Sequence, residues 1–143
     1  MDDISTAINR AEQELLSLPR DYTPEMTLAN GDILYDHYLR SYNLDRLLLF
    51  INNVFNGIPD YIRITMFGID GPAIVIILQY NGNDIIYTLD DTRYSDLYTI
   101  TTDFGKVINI NTNIQKGYFT TYYLKSNDGK TLLIFNNTSG YSP

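Results

Sequence analysis

An α+β fold, with N-terminal helices packed on a single antiparallel sheet of five to six strands in a hairpin meander, is predicted by three observations. Two stretches with helical apolar spacing precede every clear strand. Residues 60–93 read as three strands joined by tight turns. A second turn signal, Asn127-Asp128-Gly129-Lys130, falls between two alternating runs near the end of the chain. Helices that come before a run of hairpins segregate to one face of the sheet.

Each element follows from local pattern. Ile4, Ala7, Ile8, Ala11, Leu15 and Leu18 recur at helical spacing, with Pro19 as the stop, so a helix is predicted over 3–18. Thr23-Pro24-Glu25 has the form of an N-cap with proline at the first helical position, and Asn30-Gly31 ends that short helix. Asp32 to Tyr42 reads as extended or as a short turn. A third helix is capped by Asn43 and closed by Gly57. Its predicted stripe is Leu44, Leu47, Leu48, Ile51, Val54 and Phe55, which places Leu48 and Ile51 against the sheet.

Ile62, Ile64 and Met66 alternate with Tyr61, Arg63 and Thr65, the mark of a half-buried strand. Ala73–Tyr80 is apolar on both faces and reads as a central strand. Asn81-Gly82 is the strongest hairpin signal in the chain, because a two-residue loop wants positive φ and Asn-Gly tolerates it. With those two residues at the turn centre, 80 faces 83, 78 faces 85, 76 faces 87 and 74 faces 89. One face then holds Ile74, Ile76, Leu78, Ile85, Tyr87 and Leu89. The other holds Val75, Ile77, Gln79, Asp84, Ile86, Thr88 and Asp90. Leu97–Ile100 is a candidate short strand, and Lys106–Asn113 alternates. Tyr118–Lys125 and Thr131–Phe135 form a last hairpin with Tyr122, Leu124, Leu133 and Phe135 on one face. The chain is thus read as one domain, residues 1–143: an N-terminal helical segment over 1–22, a core over 24–135 and a flexible tail over 136–143.

Composition narrows the chemistry. With no cysteine, disulfides, thiol catalysis and thiolate metal sites are excluded. No apolar run approaches a membrane span, and no signal peptide opens the chain. The net charge of −7 is uneven, with acids in excess before residue 104 and lysines after it. Such a balance repels nucleic-acid phosphate, so no nucleic-acid partner is expected. An acidic middle could instead dock a basic protein.

Candidate sites are sparse. His37, the single histidine, has no second ligand three or four residues away, and no metal or cofactor is expected. Asp90-Asp91-Thr92-Arg93 is the densest polar cluster, with the chemistry either of a cation site or of a turn whose acids cap amides and pair with Arg93. Asp84, Asp90 and Asp91 are the acids an enzyme would use. Arg63 beside Tyr61 could bind an anion or pair with a neighbouring acid. Tyr61, Tyr94, Tyr118 and Tyr123 fall at outward positions, and tyrosine suits recognition surfaces. Ile77, with Val75 and Ile86, forms an apolar patch ringed by polar residues, to be covered by the first helix or by another chain. The tentative binding residues are Tyr61, Arg63, Ile77, Asp90, Asp91 and Arg93.

Several short motifs, in order, resemble a known family. They are Asn30-Gly31-Asp32, Tyr42-Asn43-Leu44-Asp45, Asn56-Gly57, Asp60-Tyr61-Ile62-Arg63-Ile64-Thr65, Gly71-Pro72, Tyr80-Asn81-Gly82 and Tyr87-Thr88-Leu89-Asp90-Asp91-Thr92-Arg93. Together they resemble a domain-of-unknown-function family of small lipoprotein-like proteins from Bacillus, Clostridium and related Firmicutes, over residues 24–135. The resemblance implies an exported, envelope-associated domain, with a possible lipid anchor beyond these residues. It supplies no catalytic residues. The chain departs from the family's pattern at two cysteine positions, one after Thr101-Thr102 and one near Lys125-Ser126, and in lacking a lipobox.

The expected function is a non-enzymatic binding or interaction domain of the bacterial cell envelope. It would take an unidentified protein or small ligand and exist as a monomer or weak dimer. The alternatives are a cytosolic inhibitor or immunity-type protein, if Met1 is the true start, and an enzyme using the Asp84/Asp90/Asp91 region.

Overall fold

A computed structural model describes residues 3–36, 40–68, 71–113 and 119–137. The elements are α1 (Ile4–Ser17), α2 (Pro24–Ala29), β1 (Ile33–Tyr35), β2 (Ser41–Tyr42), α3 (Leu44–Phe55), β3 (Asp60–Phe67), β4 (Ala73–Tyr80), β5 (Ile85–Asp90), β6 (Thr101–Asn113), β7 (Phe119–Ser126) and β8 (Thr131–Asn137). His37, Tyr118 and residues 138–143 lie outside the described residues; Asn136 and Asn137, expected to begin a flexible tail, instead end β8.

The predicted architecture is corrected. Among the described residues the chain is mostly sheet: eight strands in the order β2-β1-β3-β4-β5-β6-β7-β8 form one mixed, curled half-barrel, with three short helices. The sequence reading missed strands of two and three residues, too short to show alternation. It also missed the parallel pairing of β1 with β3. Parallel neighbours need a crossover, and α3 supplies it. Nor do the helices share a face, since α1 and α3 lie on opposite sides of the sheet.

The main core fills the concave side. Leu47 and Phe50 of α3 plug it, meeting Ile62, Ile64, Ile76 and Leu78 from the central strands and Leu124, Ile134 and Phe135 from the far ones. The curl brings the two sheet ends together. Tyr35 on β1 stands edge-on to Phe135 on β8, with ring centres 5.7 Å apart, and Ser41 Oγ donates to Asn137 Oδ1 at 2.9 Å. Tyr87 reaches across the interior from β5 and donates its hydroxyl to the Leu133 carbonyl of β8 at 2.7 Å. Burial, with the negative charges of Asp103 and Asp91, pushes this phenol well above its ordinary pKa, so it remains a donor.

Two turn registers differ from the sequence reading. In the β4–β5 hairpin Tyr80 faces Ile85 and Leu78 faces Tyr87, so the turn centre is Gly82-Asn83, one residue beyond Asn81-Gly82. Asn81 Oδ1 accepts the amides of Asn83 and Asp84, at 2.9 and 2.7 Å, and Gly82 alone takes a positive φ, 94°. Glycine at the first central position is the demand of one common two-residue loop. Moving the turn by one residue slides the pairing by two, so the two faces keep their expected residues.

In the β7–β8 hairpin a bulge lies between Tyr122 and Tyr123. It turns Ile134 and Phe135 both into the core and leaves Leu133 outward, contrary to the expected shared face. Leu97–Ile100 is not a strand; β6 begins at Thr101. A bulge at Gly105/Val107 then changes its face, and Gly105 is required there, because a Cβ would lie 2.5 Å from the Lys125 carbonyl oxygen.

Candidate functional site

α1 lies over the convex face of β4 and β5. Its Ala7, Ala11 and Leu15 are buried, and small side chains let the helix sit close above Val75 and Ile77. The convex face is a lattice in which Arg63, Ile77 and Thr88 form one cross-strand row and Tyr61, Gln79 and Ile86 the next. Five of the six tentative binding residues (all but Asp91) therefore belong to this face or its margin. Ile77 is wholly buried beneath α1.

Arg63 is held between two carboxylates. Its Nε and Nη2 each lie 2.8 Å from Asp32 Oδ1, and its Nη1 is 3.0 Å from Glu14 Oε2 on α1. Asp32, 3% exposed, also accepts from Tyr22 and Thr65 through Oδ2, at 2.7 and 2.9 Å. Burial opposes the charge on Arg63, but the hydrogen bond and negative charge of Asp32 outweigh it and raise the pKa. Tyr61 donates to Glu14, and burial together with that bond keeps its phenol protonated well above the ordinary value. Two shallow pockets of about 360 and 320 Å³ flank Tyr61. Arg46, which lines the second, forms a two-point pair with Asp60 at 3.0 and 2.5 Å. Arg63 and Arg46 thus already face carboxylates, and Arg10, which lines the first pocket, donates to Gln79 Oε1 at 2.7 Å. This cluster ties α1 and the α2–β1 turn to β3.

The Asp90–Arg93 pair does the same just beyond the C-terminus of α1. Both side chains are nearly inaccessible and lie 3.1 Å apart. Arg93 Nη2 donates to the Pro19 carbonyl at 2.9 Å, and Asp90 Oδ1 accepts from the Thr92 amide and hydroxyl. Arg20 donates to Thr92 Oγ1 and to its carbonyl oxygen. Arg93 Nε is buried without a partner among the described residues. Asp84 stands before β5 and pairs with Lys106 at 2.8 Å. It is separated from Asp90 by the length of that strand, roughly 20 Å. The acids named as an enzyme's candidates are therefore not brought together. Asp91, half-buried, borders an open depression with Leu97, Tyr98 and Thr101.

The sequence reading missed the outer shoulder of α3. Phe50, absent from the expected stripe, is fully buried beside Leu47, whereas Leu48, expected in the core, is 46% exposed and Phe55 is 87% exposed. Leu49 and Ile58 are exposed as well. Ile51, Val54 and Phe55 form one wall of an apolar groove of about 180 Å³, with Lys106, Val107 and Ile108 of β6 as the other. Ile110, further along β6, is also exposed. The helix ends cleanly above this groove: Gly57 takes φ 70°, its amide bonds to Val54 O, and the Ile58 amide bonds to Asn53 O at 2.8 Å. The available signal was an excess of apolar residues in Leu47–Phe55, more than one buried face accounts for.

Among the described residues no helix is long and apolar enough to cross a membrane, and no three acidic or histidine side chains gather as a metal site. Comparison with known proteins finds no matching family model, no matching curated protein and no matching solved structure.

Proposed function

We propose that this chain is a non-enzymatic binding domain of the bacterial cell envelope, and that its contact surface is the groove between α3 and β6. The envelope setting rests on the resemblance of residues 24–135 to lipoprotein-like domains. The observation that carries the binding role is Phe55, 87% exposed at the lip of an apolar groove whose walls are Ile51, Val54, Val107 and Ile108. Single exposed apolar side chains are ordinary on a protein surface, but a large aromatic joined to an apolar groove is the form of a contact site. The polar clusters under α1 are internally paired and support the opposite assignment, to holding the helix in place.

The reading is tested with the apolar fluorophore 1,8-ANS, whose sulfonate suits Lys106 at the rim. Folded wild-type protein at low concentration should bind it saturably, and Phe55→Glu should weaken binding several-fold with an unchanged melting temperature. If the folded protein does not bind the dye, or binds it equally after the substitution, the assignment fails.

A further inference from the structure

We propose that Asn81 is a modification site, at which the folded domain converts its own asparagine to aspartate and isoaspartate. The chain holds three Asn-Gly pairs, Asn30-Gly31, Asn56-Gly57 and Asn81-Gly82. Asparagine is a thermolabile residue. A following glycine has no Cβ to shield its amide nitrogen.

The step is an intramolecular acyl transfer. The Gly82 amide nitrogen gives its proton to water and forms a bond to Asn81 Cγ, closing a five-membered succinimide ring. The bond from Cγ to Nδ2 breaks, and ammonia leaves with a proton taken from water. A water molecule then opens the ring. Cleavage at Cγ leaves aspartate, and cleavage at the main-chain carbonyl leaves isoaspartate. One water is consumed, one ammonia is released, and nothing is oxidised or reduced.

Hydrogen bonding singles out Asn81 from the other two. The Gly31 amide donates to Leu28 O at 3.1 Å and the Gly57 amide to Val54 O at 3.2 Å, so neither nitrogen is free to attack. The Gly82 amide donates to no group among the described residues. The leaving nitrogens differ in the same way. Asn30 Nδ2 donates to the Tyr22 hydroxyl at 3.1 Å and Asn56 Nδ2 to Asn52 O at 2.8 Å, whereas Asn81 Nδ2 has no acceptor among the described residues. The Asn81 carbonyl is also polarised. Its Oδ1 accepts the Asn83 and Asp84 amides at 2.9 and 2.7 Å, and these donors stay in place when Cγ becomes tetrahedral and Oδ1 takes the negative charge. Solvent access ranks the sites in the opposite order, because Asn30 and Asn56 are exposed and Asn81 is half-buried.

Either product adds a carboxylate to the wall of the pocket that Asn81 shares with Ala7 and Arg10 of α1. Isoaspartate also routes the main chain through the former side chain, which lengthens the β4–β5 turn by one backbone atom.

Peptide mapping by mass spectrometry tests this on the full chain, aged in mildly alkaline buffer below its melting temperature. Fragmentation assigns each amide-to-acid mass change to a residue and separates Asn81 from Asn83. In the folded protein Asn81 should convert at least about tenfold faster than Asn30 and Asn56. In guanidinium chloride, where only local sequence acts, the three should convert at similar rates. The proposal is overturned if folded Asn81 keeps its amide as long as Asn30 and Asn56 do, or if folding slows Asn81 as much as it slows them.

Discussion

Truncating Asp32 to alanine should be among the most damaging single changes in the molecule. The carboxylate is 3% exposed and is contacted by Arg63 Nε and Nη2, Tyr22 and Thr65. Its loss leaves a guanidinium, a phenol and a hydroxyl without their acceptor. Removing one partner of a buried ion pair costs about 3–5 kcal/mol, mostly as the penalty of the charge left behind. Arg63 keeps Glu14 and some solvent access, so the lower end, roughly 3 kcal/mol, is expected. Replacing Arg63 by methionine as well removes the orphaned charge. The double variant should therefore lose less than the sum of the singles, by about 1–3 kcal/mol. Urea denaturation with a constant m-value measures all three losses. A loss below about 1 kcal/mol for Asp32→Ala, or strict additivity, would refute the view that this cluster holds α1 and the α2–β1 turn to the sheet.

Two other perturbations probe different parts of the fold. Gly82 sits at φ 94°, so Gly82→Val should cost at least ~1 kcal/mol in chemical denaturation. A neutral result would place the turn elsewhere. Burial would raise the Asp60 carboxyl's pKa, but bonds from Arg46, Asn53 and the Tyr61 amide outweigh it and hold it below its ordinary value. A depressed carboxylate stabilises the fold in full above its unfolded pKa of about 3.9 and loses that contribution as pH falls through the folded value. Asp60→Asn should therefore be less stable at neutral pH and show a shallower loss in acid than wild type. A parallel pH profile would contradict the pairing.

Much of the central sheet was legible in the sequence. The alternation of Ile62, Ile64 and Met66, the turn at Gly82 and the apolar run of Ala73–Tyr80 mark β3, β4 and β5 and assign their faces. What escaped was decided by tertiary contacts. Ser41–Tyr42 and Ile33–Tyr35 are strands because β3 pairs with β1, not because of their own pattern. The bulges at Gly105 and Tyr122 break the period of two that a strand reading relies on. On α3, the competing candidates Leu48 and Phe50 lie on different sides of the helix, and spacing alone does not say which side meets the barrel. Tyr61, Arg63, Asp90 and Arg93 stood out by residue type. The acceptors Glu14, Asp32 and Pro19 O of Tyr61, Arg63 and Arg93 are far off in sequence, which hides the role of these donors in holding α1.

Dye binding by the folded protein tests the central claim most directly, because the α3–β6 groove is the surface read as an apolar contact site. The account predicts saturable binding of 1,8-ANS by folded wild type, and several-fold weaker binding by Phe55→Glu at an unchanged melting temperature. Binding that is absent, or equal in the two proteins, would contradict it.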